Sequence, residues 1–290
     1  MKLLWLSSLA CNGNAHSLLN LPHFPSWSEG VEWLHHPLLP STHSFVEVEE
    51  GIEGVEILIL DGTIEEGLVK HRRPFEELFG RYAEQAKWIV TVGTCATFGG
   101  IFKAGGAGRS GLHFRGEKRR DRYGNYWEKT VSLPGCPVQP EVLAGTLSAL
   151  TAGVDLPLDG MRRPKYYYAY TAHNGCVRNE YFEYKIDEHR FGESEGCMFY
   201  QHGCQGPFTR ASCNKILWNG VSSKTRAGQP CMGCSEADFP RRGLWETETR
   251  MGIPARLPLG VPRRAYLSLA GVAKAFRIER FHTKLFEEER

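Results

Sequence analysis

Residues 88–95 read WIVTVGTC. An apolar, β-branched run stops at a glycine, and a cysteine follows two residues later. The run reads as a strand leading into a loop. The same layout occurs twice upstream. Residues 3–6 form an apolar strand leading to CNGN at 11–14, and residues 55–60 (VEILIL) lead to Asp61 and Gly62. Between the second and third strands, residues 65–87 have helical composition. Strands alternating with helices predict an α/β fold with a doubly wound parallel sheet. Sites in such sheets form outside the carboxyl ends of the strands. The three loops are therefore expected along one edge. The stretch LPGCPVQPEVLAG at 133–145 adds a cysteine held between glycine and proline, stiff enough to close on that edge. A further strand is expected at Lys165–Tyr170 (KYYYAY), ending a first domain over residues 1–165. Residues 101–128, Gly-rich and then charged (EKRRDR), read as an exposed loop with solvated charges.

The chain has 290 residues, 41% hydrophobic and 23% charged, with a net charge of +2. That is enough for a sizeable core. The mildly basic pI of about 8.1 argues against a nucleic-acid partner. No run of apolar residues is long enough to span a bilayer, so no membrane anchor is expected. The opening MKLLWLSSLAC lacks the basic region of a signal peptide and runs straight into a cysteine motif. It is read as a buried first strand, and the protein is expected to be cytoplasmic.

From His173 to Cys234 the periodicity fades, and Gly, Pro and Cys punctuate the chain. A second domain is expected over residues 166–260, and a helical tail over 261–290 that ends ERFHTKLFEEER. The irregular segment lacks the apolar repeats to fold alone, and bound metal can staple such a segment. Nine cysteines, an odd number, also favour metal ligation over disulfides. Cys231-Met-Gly-Cys234 is a CxxC pair, and Cys213 upstream makes a three-thiolate set. His173, Cys176, Cys197 and Cys204 make a set of three thiolates and one imidazole. Zinc accepts such donors, so spacing leaves zinc, disulfides and inert buried thiols open.

Seven motifs read in order resemble the small subunit of [NiFe] hydrogenases. They are CNGN (11–14), VGTCATFGGI (92–101), LPGCPVQPE (133–141), HNGCVRNEYF (173–182), GCMFYQHGCQGPFT (196–209), SCNKILWNGV (212–221) and GQPCMGCSEADFP (228–240). The resemblance implies a flavodoxin-like sheet domain followed by an irregular iron–sulfur domain. It also implies three clusters in a line, wiring a large-subunit nickel–iron site to an electron acceptor it does not identify. By the same resemblance, Cys11, Cys95 and Cys136 hold a proximal cluster. His173, Cys176, Cys197 and Cys204 hold a distal [4Fe–4S] cluster, and Cys213, Cys231 and Cys234 a medial [3Fe–4S] cluster. The large subunit is the implied partner, in a dimer of heterodimers. A hydrogen-sensing regulatory subunit is the alternative role. A zinc protein and a cluster subunit of a quinone-linked redox complex are the more distant rivals.

The chain departs from the family in three places. Position 14 is Asn where the family has a second proximal cysteine. The proximal cluster is then [3Fe–4S], or Asn14 ligates weakly, or a carboxylate completes a [4Fe–4S] cluster. Asp61 is that carboxylate, standing in a loop where the family usually has Glu. Its plainer role is to cap the turn before Gly62. Lys224 replaces a family proline near the medial set; its charge either raises the medial potential or, as expected, the side chain points to solvent. His16, His35, His36 and His202 are expected to be structural or interface residues rather than ligands.

Overall fold

The computed structural model describes residues 1–192, 195–250 and 253–257, with scattered positions between 262 and 272. Five strands form one parallel sheet: β1 (Lys2–Ser7), β2 (Glu32–His35), β3 (Ile57–Asp61), β4 (Trp88–Val92) and β5 (Thr130–Leu133). Their order is β5-β4-β3-β1-β2. Read from the other edge this is 2-1-3-4-5, the flavodoxin-like doubly wound order, with its switch point between β1 and β3.

The central strands β1, β3 and β4 are largely apolar because both faces are covered. Leu3, Trp5, Ile57, Ile59, Val90 and Val92 face one layer, and Leu4, Leu6, Leu58, Leu60 and Ile89 the other. Helices α1 (Gly13–Leu19) and α4 (Pro140–Thr151) pack on the first face through Ala15, Leu18, Leu143 and Leu147. Helix α2 (Phe75–Gln85) packs on the second through Phe75, Phe79, Tyr82 and Ala83. These four recur at helical spacing, and Glu76 and Glu77 suit the positive end of the helix dipole. Each large apolar side chain buried this way contributes roughly 1.5–3 kcal/mol. Short α3 (Gly93–Phe98) follows β4 directly and carries Cys95.

Two expectations are corrected. Lys165–Tyr170 is not a strand; helix α5 spans Lys165–Tyr168. Pro164 caps it, its carbonyl accepts from the Tyr168 N–H at 3.1 Å, and buried Tyr168 donates its hydroxyl to the Pro134 carbonyl at 2.9 Å. The aromatic run therefore serves one anchoring residue rather than a pleated face. The loop 101–128 is only partly exposed. Its EKRRDR run meets solvent, but Leu112, His113, Phe114 and Tyr126 are buried.

After α5 the chain is mostly turns, with single helical turns at Ala172–Gly175 and Gly206–Phe208 and helix α6 at Asn179–Tyr184. Its largest apolar cluster is Cys197, Phe199 and Phe208, with Tyr181, Phe182 and Tyr200 around it. The expected C-terminal helix falls largely outside the described residues.

His113 is buried, with its Nε2 2.9 Å from the Thr130 hydroxyl and its ring edge-on to Trp127. Burial, reinforced by Arg119 and Arg162, pushes its pKa down to about 4. The unfolded chain therefore takes up this proton first. The site's contribution to stability is complete above about pH 6.5 and is lost as the pH falls toward 4, by up to about 3 kcal/mol. His113→Asn should flatten the fall in melting temperature between about pH 7 and 5. An unchanged slope in that variant would contradict this assignment.

Candidate metal centres

Cys11 follows β1, Cys95 follows β4 and Cys136 follows β5, so all three sit at the carboxyl edge of the sheet. They lie close enough for their charges to interact. Burial pushes Cys136 up to about 11, with Cys234, Cys95 and Cys11 adding to it. Cys95 is raised mainly by burial, with smaller contributions from Cys11 and Asp61. Close approach here requires glycine. Gly100, at φ +46°, packs its backbone against the Cys95 thiol, where a side chain would collide.

Asn14 makes structural hydrogen bonds. It is buried, and both ends of its amide are engaged. Nδ2 donates to Asp61 Oδ1 at 2.7 Å and to the Val92 carbonyl at 3.2 Å, while Oδ1 accepts from the Val138 N–H at 2.9 Å. One side chain thus ties the ends of β3 and β4 to the loop after Cys136. Gly93, at φ +85°, leaves room for it. Asp61 is 2% exposed, and its Oδ2 has no hydrogen-bond partner among the described residues. Burial pushes its pKa up to about 6; the Asn14 amide opposes that shift, and the Trp5 indole N–H opposes it more weakly without closing a hydrogen bond.

Two cavities hold the other sets. One is lined by Cys213, Cys231 and Cys234. The second is lined by His173, Cys176, Cys197 and Cys204, the four residues grouped from the sequence. His173 stands on a helical turn closed by Thr171 and Asn174, with its ring edge-on to Phe182 at 4.5 Å. Burial pushes Cys197, Cys204, Cys213 and Cys231 up to about 12. Backbone N–H groups point at two of these sulfurs, Arg178 to Cys176 at 3.4 Å and Cys231 to Cys204 at 3.3 Å.

Several residues that the sequence reading missed join the three sets. Thr94 accepts from the Gly135 N–H at 2.9 Å and donates to the Cys234 carbonyl. Asn214 accepts from Thr225 at 2.8 Å and from Ser223, and donates to the Ala172 carbonyl at 2.5 Å. Thr225 lines both cavities. Thr94 is flagged only by standing next to Cys95, and Asn214 only by standing next to Cys213. Lys224 corrects an expectation. Its ammonium points inward, 3.0 Å from the Cys136 carbonyl and 3.8 Å from Cys234 Sγ. His36 is structural as expected, packed between Trp5 and Trp33 and accepting from the Leu38 N–H at 3.1 Å.

The donor chemistry fits iron–sulfur clusters. Thiols buried this deeply do not ionise unless a cation compensates them, and cluster iron does so. The thiols line cavity walls. A cage of several metal and sulfide atoms needs its ligands set wider apart than a mononuclear zinc site does. At the sheet edge, Asp61 lies near enough to Cys95 for their charges to interact.

Comparison with known proteins covers both halves. Residues 168–244 match the C-terminal family of the NiFe/NiFeSe hydrogenase small subunit, and residues 11–150 match the NADH ubiquinone oxidoreductase 20 Kd subunit family. The chain is 31% identical over 288 residues to the F420 non-reducing hydrogenase II small subunit of Methanosarcina mazei, covering 82% of this chain and 73% of that one. It is 34% identical over 208 residues to the periplasmic [NiFe] hydrogenase small subunit of Solidesulfovibrio fructosivorans, covering 69% of this chain and 62%, less than two thirds, of that one. A chain of the [NiFeSe] hydrogenase of Desulfomicrobium baculatum superimposes with a TM-score of 0.72 at 26% identity, covering 85% of this chain and 99% of that one.

Asn14→Ala would leave the Val138 N–H and the facing Asp61 oxygen unpaired in a buried site. The expected loss is about 3 kcal/mol. A thermal-unfolding scan of the variant should show a melting temperature several degrees lower; an unchanged one would show that the amide is not a structural tie.

Proposed function

The chain belongs to the NiFe/NiFeSe hydrogenase small-subunit family, and on that premise we propose that it relays electrons from hydrogen oxidation at a large-subunit nickel–iron site to an acceptor. The observation that carries this reading is three adjoining sets of thiols, each joined to the next by shared residues. Iron–sulfur clusters supply one-electron transfer when bound. In this reading Cys11, Cys95 and Cys136 hold the proximal cluster, with Asp61 as its fourth ligand. Cys213, Cys231 and Cys234 hold a medial [3Fe–4S] cluster. His173, Cys176, Cys197 and Cys204 hold a distal [4Fe–4S] cluster.

The chain's own residues do the positioning. The Asn14 amide holds one Asp61 oxygen and leaves the other without a hydrogen-bond partner among the described residues. The N–H groups of Arg178 and Cys231 donate to ligand sulfurs, which spreads the thiolate charge. Cys11 is exposed at the sheet edge, as suits a face that the large subunit covers. The proposed assembly is a dimer of such heterodimers in the cytoplasm. Among the described residues no helix is long and apolar enough to cross a membrane.

Hydrogen-dependent dye reduction by the complex purified with its large subunit tests the reading. Rapid turnover supports it. Very slow turnover with full nickel and iron would indicate a sensor, and no activity with no nickel partner would overturn it. Asp61→Ala tests the proximal ligand set separately. The variant should convert the proximal cluster to a three-iron form or lose it, seen as a changed proximal EPR signal and lower iron content. An unaltered signal with full iron would remove Asp61 from the ligand set.

A further inference from the structure

We propose that Lys224 is a positioning residue that raises the reduction potential of the medial cluster and ties that cluster to the proximal one. The inference rests on the cluster reading above. Lys224 Nζ donates to the carbonyl oxygen of Cys136 at 3.0 Å and stands 3.8 Å from Cys234 Sγ. The first residue belongs to the proximal set and the second to the medial set, so one ammonium spans the gap between them.

Three further observations make this a built position. Among the described residues lining the medial cavity, Lys224 is the only charged one. No carboxylate pairs with it among the described residues, so its charge faces the sulfurs uncompensated. Its backbone is clamped on both sides, because Ser223 and Thr225 each donate to Asn214 Oδ1, and Asn214 is bonded to the Ala172 carbonyl at 2.5 Å. The Lys224 carbonyl accepts from the Gln229 N–H at 2.9 Å. A long cationic side chain ordinarily roams at the surface; this one is tethered at its base and bonded at its tip.

The consequence is electrostatic. Reduction adds one electron to the cluster, with no bond made or broken and no proton required. A fixed positive charge beside a ligand sulfur, away from bulk water, stabilises the reduced form and raises the potential. The bond to the Cys136 carbonyl directs the same charge toward the proximal set more weakly, since it meets a backbone oxygen there rather than a sulfur.

The test is an EPR-monitored redox titration of the complete heterodimer carrying Lys224→Met, Lys224→Gln or Lys224→Arg. Met and Gln remove the charge, and Gln keeps a polar side chain; Arg keeps the charge. The medial midpoint should move to a more negative potential in Met and Gln and stay near the parent value in Arg. The proximal midpoint should move the same way by less. An unchanged medial midpoint in Gln, with the medial signal intact, would overturn the proposal and leave the cluster reading standing. An equal shift in Arg and Gln would also overturn it, because side-chain shape rather than charge would then be responsible. No iron–sulfur signal in the parent complex would overturn the cluster reading, and this proposal with it.

Discussion

One buried amide holds the sheet edge together. Asn14 sits at the switch point of a parallel sheet, where the chain leaves β1 in one direction and β3 in the other. Its amide bonds to the ends of β3 and β4 and to the loop after Cys136. That tie acts together with the paired bonds between Thr94 and Gly135 to position the three loops that carry the cysteines. A thiol at position 14 could ligate a metal but could not make these three bonds. The same amide holds one oxygen of Asp61.

The second constraint is charge. Nine thiols lie within one chain, most of them at least partly buried, and burial pushes Cys136, Cys197, Cys204, Cys213 and Cys231 well above the usual thiol range. Contacts pass from one set to the next. Lys224 lies between Cys136 and Cys234, and the Cys231 backbone donates to Cys204 while its own sulfur lines the medial cavity. The irregular second half thus has a physical reason for its shape. It has little apolar core of its own, and its loops close around sulfur-lined cavities, held by Asn214 and Thr94.

Much of this was legible in the sequence. Strands buried on both faces have no alternation to disguise, so residues 3–6, 55–60 and 88–92 stood out. β5 did not, because Thr130 and Ser132 break its apolar run, although both are buried. Lys165–Tyr170 misled because aromatic residues favour strands, while Pro164 starts a helical turn there. His173, Cys176, Cys197 and Cys204, grouped by motif order, line one cavity, and Cys213, Cys231 and Cys234 line another. The inward turn of Lys224 and the hub at Asn214 were not legible. They depend on which carbonyls and hydroxyls the fold brings within reach, and no spacing records that.

The central claim is that the three thiol sets hold iron–sulfur clusters rather than zinc or nothing. Iron, acid-labile sulfide and zinc analysis of the anaerobically purified complex, with Mössbauer spectroscopy of isotopically enriched protein, tests it most directly. The account predicts iron and sulfide in comparable amounts, three spectroscopically separate clusters and negligible zinc in this chain. Zinc without sulfide, or signals from only one cluster, would contradict it.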